Sequence, residues 1–127
     1  MLHRFTKEER LCSKKIIGEL FSGKEVHKTS HFPIMAVWKA IELPSKYPVQ
    51  VLFSVPKKKF KRAHDRNRLK RQLKESYRLK KNILYEILSV KRLQFAIVMV
   101  YIAQEKLPYA TIDNACNIIL KNIAESV

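Results

Sequence analysis

The sequence predicts an α+β fold: a small mixed sheet of about four strands packed by helices, in the order helix, strand, strand (divisible into a third), long helix, strand, helix. Three observations lead there. Hydrophobic residues recur at a spacing near four in some stretches and near two in others, the periods of helices and strands. The 127 residues suit one core better than two, and residues 1–127, with no internal repeat or linker, read as a single domain. Hydrophobic content of 46% against 29% charged lets such a chain bury a core beneath a solvated shell.

Each element has its own local reason. Residues 13–21 predict a helix, with Ser13 as N-cap, Ile16, Ile17, Leu20 and Phe21 at helical spacing, and Gly23 where a C-terminal stop belongs. Thr6 and Glu9 fit a capping box, which would start that helix earlier. Residues 32–41, rich in β-branched and aromatic types, predict a strand that ends before a turn at 44–48. In 49–55, Val49, Val51, Phe53 and Val55 alternate with Gln50, Leu52 and Ser54, a strand with one more buried face that Pro56 ends.

Between 65 and 88 the period lengthens. Leu69, Leu73 and Tyr77 lie four apart and Leu84, Ile87 and Leu88 continue that side, so one long amphipathic helix is expected. Residues 94–103 are apolar and short, as a buried central strand would be. From about Thr111, Ile112, Ala115, Cys116, Ile119, Leu120 and Ile123 fall on one face of a last helix, which makes Cys116 a core residue.

Charge is concentrated in this framework. The net charge is +15, and residues 57–81 hold thirteen Lys and Arg opposed only by Asp65 and Glu75, so that segment carries +11 of it. Such a run is often a solvated face or a tail. This one lies mid-chain between two apolar elements, and on the long helix Asn67, Arg68, Arg71, Lys74 and Arg78 gather opposite the leucines. Polyanions are the expected partners, nucleic acid first and anionic membrane second. Arg66-Asn67-Arg68 with Lys70-Arg71 also stands near the helix start, where free backbone N–H groups favour phosphate. Among Phe21, Phe32, Trp38, Phe53, Tyr77 and Phe95, one or two on an exposed sheet face would stack on unpaired bases, the rest being core.

Catalytic patterns are missing. With only Gly18 and Gly23, the chain has no glycine-rich phosphate loop, and it has no GxSxG or HExxH pattern. His3, His27, His31 and His64 are scattered, read as surface residues rather than metal ligands, and the acids form no two-metal set. Cys12 and Cys116 lack CxxC spacing, which fits a reducing, cytoplasmic setting. No signal-peptide pattern is expected at the start, and the longest apolar run, the nine residues 95–103, falls short of the ~20 a spanning helix needs.

The Arg66-Asn67-Arg68 box on a helix, reached from a strand through Ser54-Val55-Pro56-Lys57-Lys58-Lys59 and preceded by the Leu20-Phe21-x-Gly23 helix end, resembles the protein component of bacterial ribonuclease P. The resemblance covers nearly the whole chain. It implies a left-handed crossover through the basic helix, against the usual hand. It further implies that the partners are the ribonuclease P RNA and precursor tRNA, with no membrane and no protein partner required. The RNA, using Mg²⁺ that it mainly holds itself, would cleave off the 5′ leader. The protein would bind no cofactor alone and supply no catalytic group. By resemblance, Arg66, Asn67, Arg68, Lys70 and Arg71 would contact the RNA subunit, joined by Lys57, Lys58 and Lys59. Lys61 and Arg62, and Lys74 and Arg78 farther along, would extend that contact. A cleft between the first helix and the sheet, with Ile17, Phe21 and Phe53, would hold the single-stranded leader. Ile17 stands where many relatives have an aromatic residue, Pro56 replaces a small polar one, and 59–64 lacks the usual glycine. A structural RNA-binding protein is the chief rival reading. A DNA-binding module and a membrane-surface helix rank lower.

Overall fold

The computed structural model describes residues 4–127. A 3-10 turn at Lys7–Glu9 precedes α1 (Lys14–Ser22), β1 (His27–His31), β2 (Ile34–Ala40), β3 (Val49–Ser54), α2 (Ala63–Lys80), α3 (Asn82–Lys91), β4 (Phe95–Tyr101) and α4 (Tyr109–Glu125). The sheet has the order β1-β2-β4-β3. β2 runs antiparallel to both β1 and β4, whereas β3 runs parallel to β4, with Val49 opposite Phe95 and Phe53 opposite Met99. A parallel pair needs a long crossover, and α2 with α3 provides it.

Both sheet faces are covered. Val49, Val51, Ile97, Met99 and Tyr101 share one core with Leu69, Leu73 and Tyr77 of α2 and with the apolar face of α4. Val37, Ala96 and Val98 point to the opposite face, against Leu11 and Leu20. The central β4 is buried on both sides for this reason, as its unbroken apolar run predicts. The α4 face Ile112, Ala115, Cys116, Ile119, Leu120 and Ile123 is wholly buried, and that burial pushes the Cys116 thiol up to about 11.

Local signals set the ends of α1. Ser13 Oγ accepts from the Ile16 N–H at 3.3 Å, and Gly23 closes the helix with φ 76°, a left-handed conformation that favours glycine.

Three expectations are corrected. The Thr6–Glu9 pairing, with the Thr6 N–H donating to Glu9 Oε1 at 2.9 Å, belongs to the separate 3-10 turn and does not lengthen α1. After that turn the chain extends, and the Leu11 N–H donates to the Val51 carbonyl at 3.0 Å, so residues 10–11 run beside β3. The strand expected at 32–41 begins only at Ile34, because Phe32 and Pro33 form the turn of a hairpin whose other arm is β1. β1 is a polar edge strand, so it leaves no apolar alternation to read.

The helix expected over 65–88 is two helices meeting at Lys81. Lys81 is only 4% exposed. Its ammonium is drawn inward to Glu9 Oε2 at 2.7 Å and to the Arg4 carbonyl, while Tyr85 Oη donates to the same Glu9 oxygen at 2.5 Å.

Candidate nucleic-acid interface

The approach to α2 is built around a buried ring. Phe60 packs against Tyr101 at 5.8 Å, and the Pro56 carbonyl accepts the N–H groups of Lys59 and Phe60, both at 3.2 Å. This turn leaves Lys57 and Lys58 exposed at its tip, with Lys61 and Arg62 exposed at the helix start. Lys59 behaves differently. Its ammonium donates to the Ile102 carbonyl at 2.6 Å and ties the turn to the end of β4.

Arg66 is likewise committed to the fold. Its Nη1 donates to the carbonyls of Phe60 and Lys61, each at 2.8 Å, so one guanidinium nitrogen closes the loop onto the first turn of α2. Asn67, Arg68, Lys70, Arg71 and Lys74 are exposed along the helix. At its far end Arg78 pairs with Glu75 at 2.6 Å and Lys80 with Asp113 at 2.8 Å. Among the described residues, Arg68, Lys70, Arg71 and Lys74 enter no ion pair. Uncompensated charge therefore concentrates in the first three turns. The positive end of the helix dipole adds to it there.

Beside this face lies a groove of about 400 Å³. Phe5, Leu11, Val51, Leu52 and Phe53 supply its apolar lining, while Arg10, Asn67, Lys70, Arg71 and Lys74 supply its polar one. Phe53 sits edge-on to Tyr77 at 5.7 Å, and Lys74 Nζ lies 5.6 Å from the centre of the Phe5 ring.

Placement of Phe53 corrects the expected cleft. Phe53 packs on the α2 side of the sheet, whereas Ile17 packs with the cluster on the other side and Phe21, on α1, is 58% exposed. The three residues do not line one cleft, because Phe53 follows the alternation of Val49 and Val51 toward α2. Phe5, Arg10, Leu11 and Leu52 were not singled out from the sequence. Their only signal is the long-range pairing of residues 10–11 with β3, which no local pattern announces.

The stripe's two acids are also occupied. Asp65 pairs with Lys106 at 3.2 Å and Glu75 with Arg78 at 2.6 Å. No group of three or more His, Cys, Asp or Glu among the described residues is placed to hold a metal. No helix among them is long and apolar enough to cross a membrane.

Comparison with known proteins agrees with this architecture. The family model described as Ribonuclease P matches residues 5–124. The chain is 31% identical over 125 residues to a ribonuclease P protein component from Porphyromonas gingivalis, covering 96% of this chain and 88% of that one. It is 42% identical over 77 residues to the corresponding protein of Chlorobaculum tepidum, covering 60% and 50%. Among solved structures, the ribonuclease P protein from Thermotoga maritima superposes with a TM-score of 0.70 at 20% identity, covering 90% and 96%. That from Staphylococcus aureus gives 0.69 at 18%, covering 92% and 96%. The basic helix that carries Arg66-Asn67-Arg68, the four-stranded mixed sheet and these matches lead to one conclusion: the chain belongs to the ribonuclease P protein component family, with a role in an endoribonuclease complex that processes tRNA 5′ ends.

Proposed function

We propose that the protein acts as an electrostatic cofactor to a catalytic RNA in the cytoplasm. The basic face of α2 binds the RNA subunit, which cleaves precursor tRNA with Mg²⁺ that the RNA itself mainly holds. One observation carries this reading: Arg68, Lys70, Arg71 and Lys74 stand exposed and unpaired along one rigid helix. Fixed cations attract phosphates without sequence preference, and holding them in advance spares the entropy of gathering them on binding. Lys57, Lys58, Lys61 and Arg62 extend the same field around the start of the helix. Lys59, Arg66 and Arg78 serve mainly through the structure they hold, with any remaining donors adding to the field. Phe21, exposed on α1 beside Ile17, offers the 5′ leader a separate contact on the other face of the sheet.

The mechanism is one of assembly. Cationic side chains neutralise phosphate repulsion where RNA subunit and precursor tRNA meet, which lowers the Mg²⁺ concentration needed to hold them together. Reconstitution with the cognate ribonuclease P RNA tests this. Added protein should speed cleavage of precursor tRNA at low Mg²⁺ and shift the Mg²⁺ requirement downward. An unchanged rate and an unchanged Mg²⁺ requirement would reject the reading.

A further inference from the structure

We infer that the groove between α2 and the edge of β3 receives one unpaired nucleotide of the RNA subunit, its base against the apolar lining and its phosphate on the cationic rim. The inference rests on the RNA-binding reading above and adds an occupant to it. Size comes first: about 400 Å³ falls within the ~300–1,000 Å³ range of sites that bury small ligands. The chemistry is two-sided, as a nucleotide requires. Phe5, Leu52 and Phe53 offer apolar and aromatic surface to a base, and Arg10, Lys70 and Arg71 surround the opening with positive charge. No carboxylate among the described residues lines the groove, and Arg10, Lys70 and Arg71 enter no ion pair among them, so no described acid competes for that rim. Paired bases could not enter, because their faces are already stacked and their phosphates lie outside the helix.

The wall that faces the groove belongs to α2, which is why the RNA subunit rather than the leader is its occupant. Leu11 and Leu52 line the groove from the α1 side of the β3 edge, but the exposed Phe21 of α1 is not part of its lining.

Cys12 lines the groove and is exposed, whereas Cys116, the other cysteine, is buried, so the unmodified protein carries its own reporter. Alkylation of Cys12 by iodoacetamide should be followed in the free protein and in complexes whose formation is confirmed by gel shift. The partners are the RNA subunit, precursor tRNA and a fully paired RNA duplex, each at saturation. Saturating RNA subunit should slow alkylation at least about tenfold, as mass action requires for a site that is nearly always filled. The duplex should leave the rate within about twofold of the free protein. Cys12→Trp, which fills the opening from an exposed position, should weaken RNA subunit binding while leaving duplex binding unchanged.

Alkylation at the free rate within a confirmed RNA complex would overturn the groove assignment and leave RNA binding intact. Equal protection by the duplex would overturn it in favour of phosphates coating the rim. Protection by precursor tRNA alone would make the leader the occupant and overturn the assignment to the RNA subunit. Failure of the RNA subunit to bind at all would instead defeat the underlying RNA-binding reading, and this inference with it.

Discussion

Arg66 and Arg71 belong to one basic run and one helix, yet their guanidinium groups do different work. Arg66 donates twice to backbone carbonyls, while Arg71 is exposed at the groove. Hydrogen bonds to a charged group contribute about 2 kcal/mol, so Arg66→Ala should lower folding stability by roughly that amount, measured by urea denaturation. Arg66→Lys should recover only part of it, since an ammonium lacks the planar fork. Arg71→Ala should leave stability within ~0.5 kcal/mol and reduce the slope of log K against log salt for RNA binding by about one. Equal effects of both substitutions on stability would show that this division of labour is wrong. Lys57 and Lys59 divide in the same way, because only Lys59 is tied to a carbonyl of the chain.

At the scale of an element, the chain's two glycines lie within α1 and at its C-terminal cap, in opposite circumstances. Gly23 holds φ 76°, and although a Cβ there would meet no atom within 4 Å, the backbone conformation itself disfavours an L-residue. Gly23→Ala should cost about 1 kcal/mol. Gly18 lies inside the helix, again with open space around a Cβ, so Gly18→Ala should stabilise by about 0.5–1 kcal/mol through the unfolded chain. Thermal unfolding of the two variants should shift in opposite directions; a shift in the same direction would contradict the assigned helix end. On α2 the cations divide by position: the distal ones meet Glu75 and Asp113, while the proximal Arg68, Lys70, Arg71 and Lys74 enter no ion pair among the described residues.

Across the whole molecule, one buried ion pair fastens the N-terminal segment to the junction of α2 and α3. Glu9 is fully buried and holds Lys81 at 2.7 Å. Burial pushes the Glu9 carboxyl up, but hydrogen bonds from Lys81, Thr6 and Tyr85 outweigh it and leave the pKa lowered. A lowered folded-state pKa means that the pair's contribution is complete above the unfolded carboxylate value of about 4.3 and is lost as pH falls through the folded one. Glu9→Gln strands a buried ammonium and should cost about 3 kcal/mol near neutral pH. The stability of this variant, measured as urea midpoint against pH, should also fall less steeply below about pH 4 than that of the wild type. An identical acid limb in both proteins would remove Glu9 from this role. The same tether sets the far border of the groove, since Phe5 and Arg10 flank Glu9 in the chain.

The sequence by itself determined the elements whose signal is local. The apolar face of α4, the cap and glycine stop of α1, the buried run of β4 and the cationic stripe of α2 all follow from burial or charge repeating within one element. Even the facing of Phe53 was present in its alternation with Val49 and Val51. Only the tertiary structure decided which helix covers that face, and so separated Phe53 from Ile17 and Phe21. It also revealed β1, whose polar edge carries no hydrophobic period, and the junction at Lys81, where an amphipathic pattern continues unbroken through a change of helix. These features depend on partners far apart in the chain: Glu9 with Lys81, residue 11 with Val51, Lys59 with Ile102. Local periodicity reports how much of a residue is buried, whereas the identity of what buries it is a property of the assembled fold.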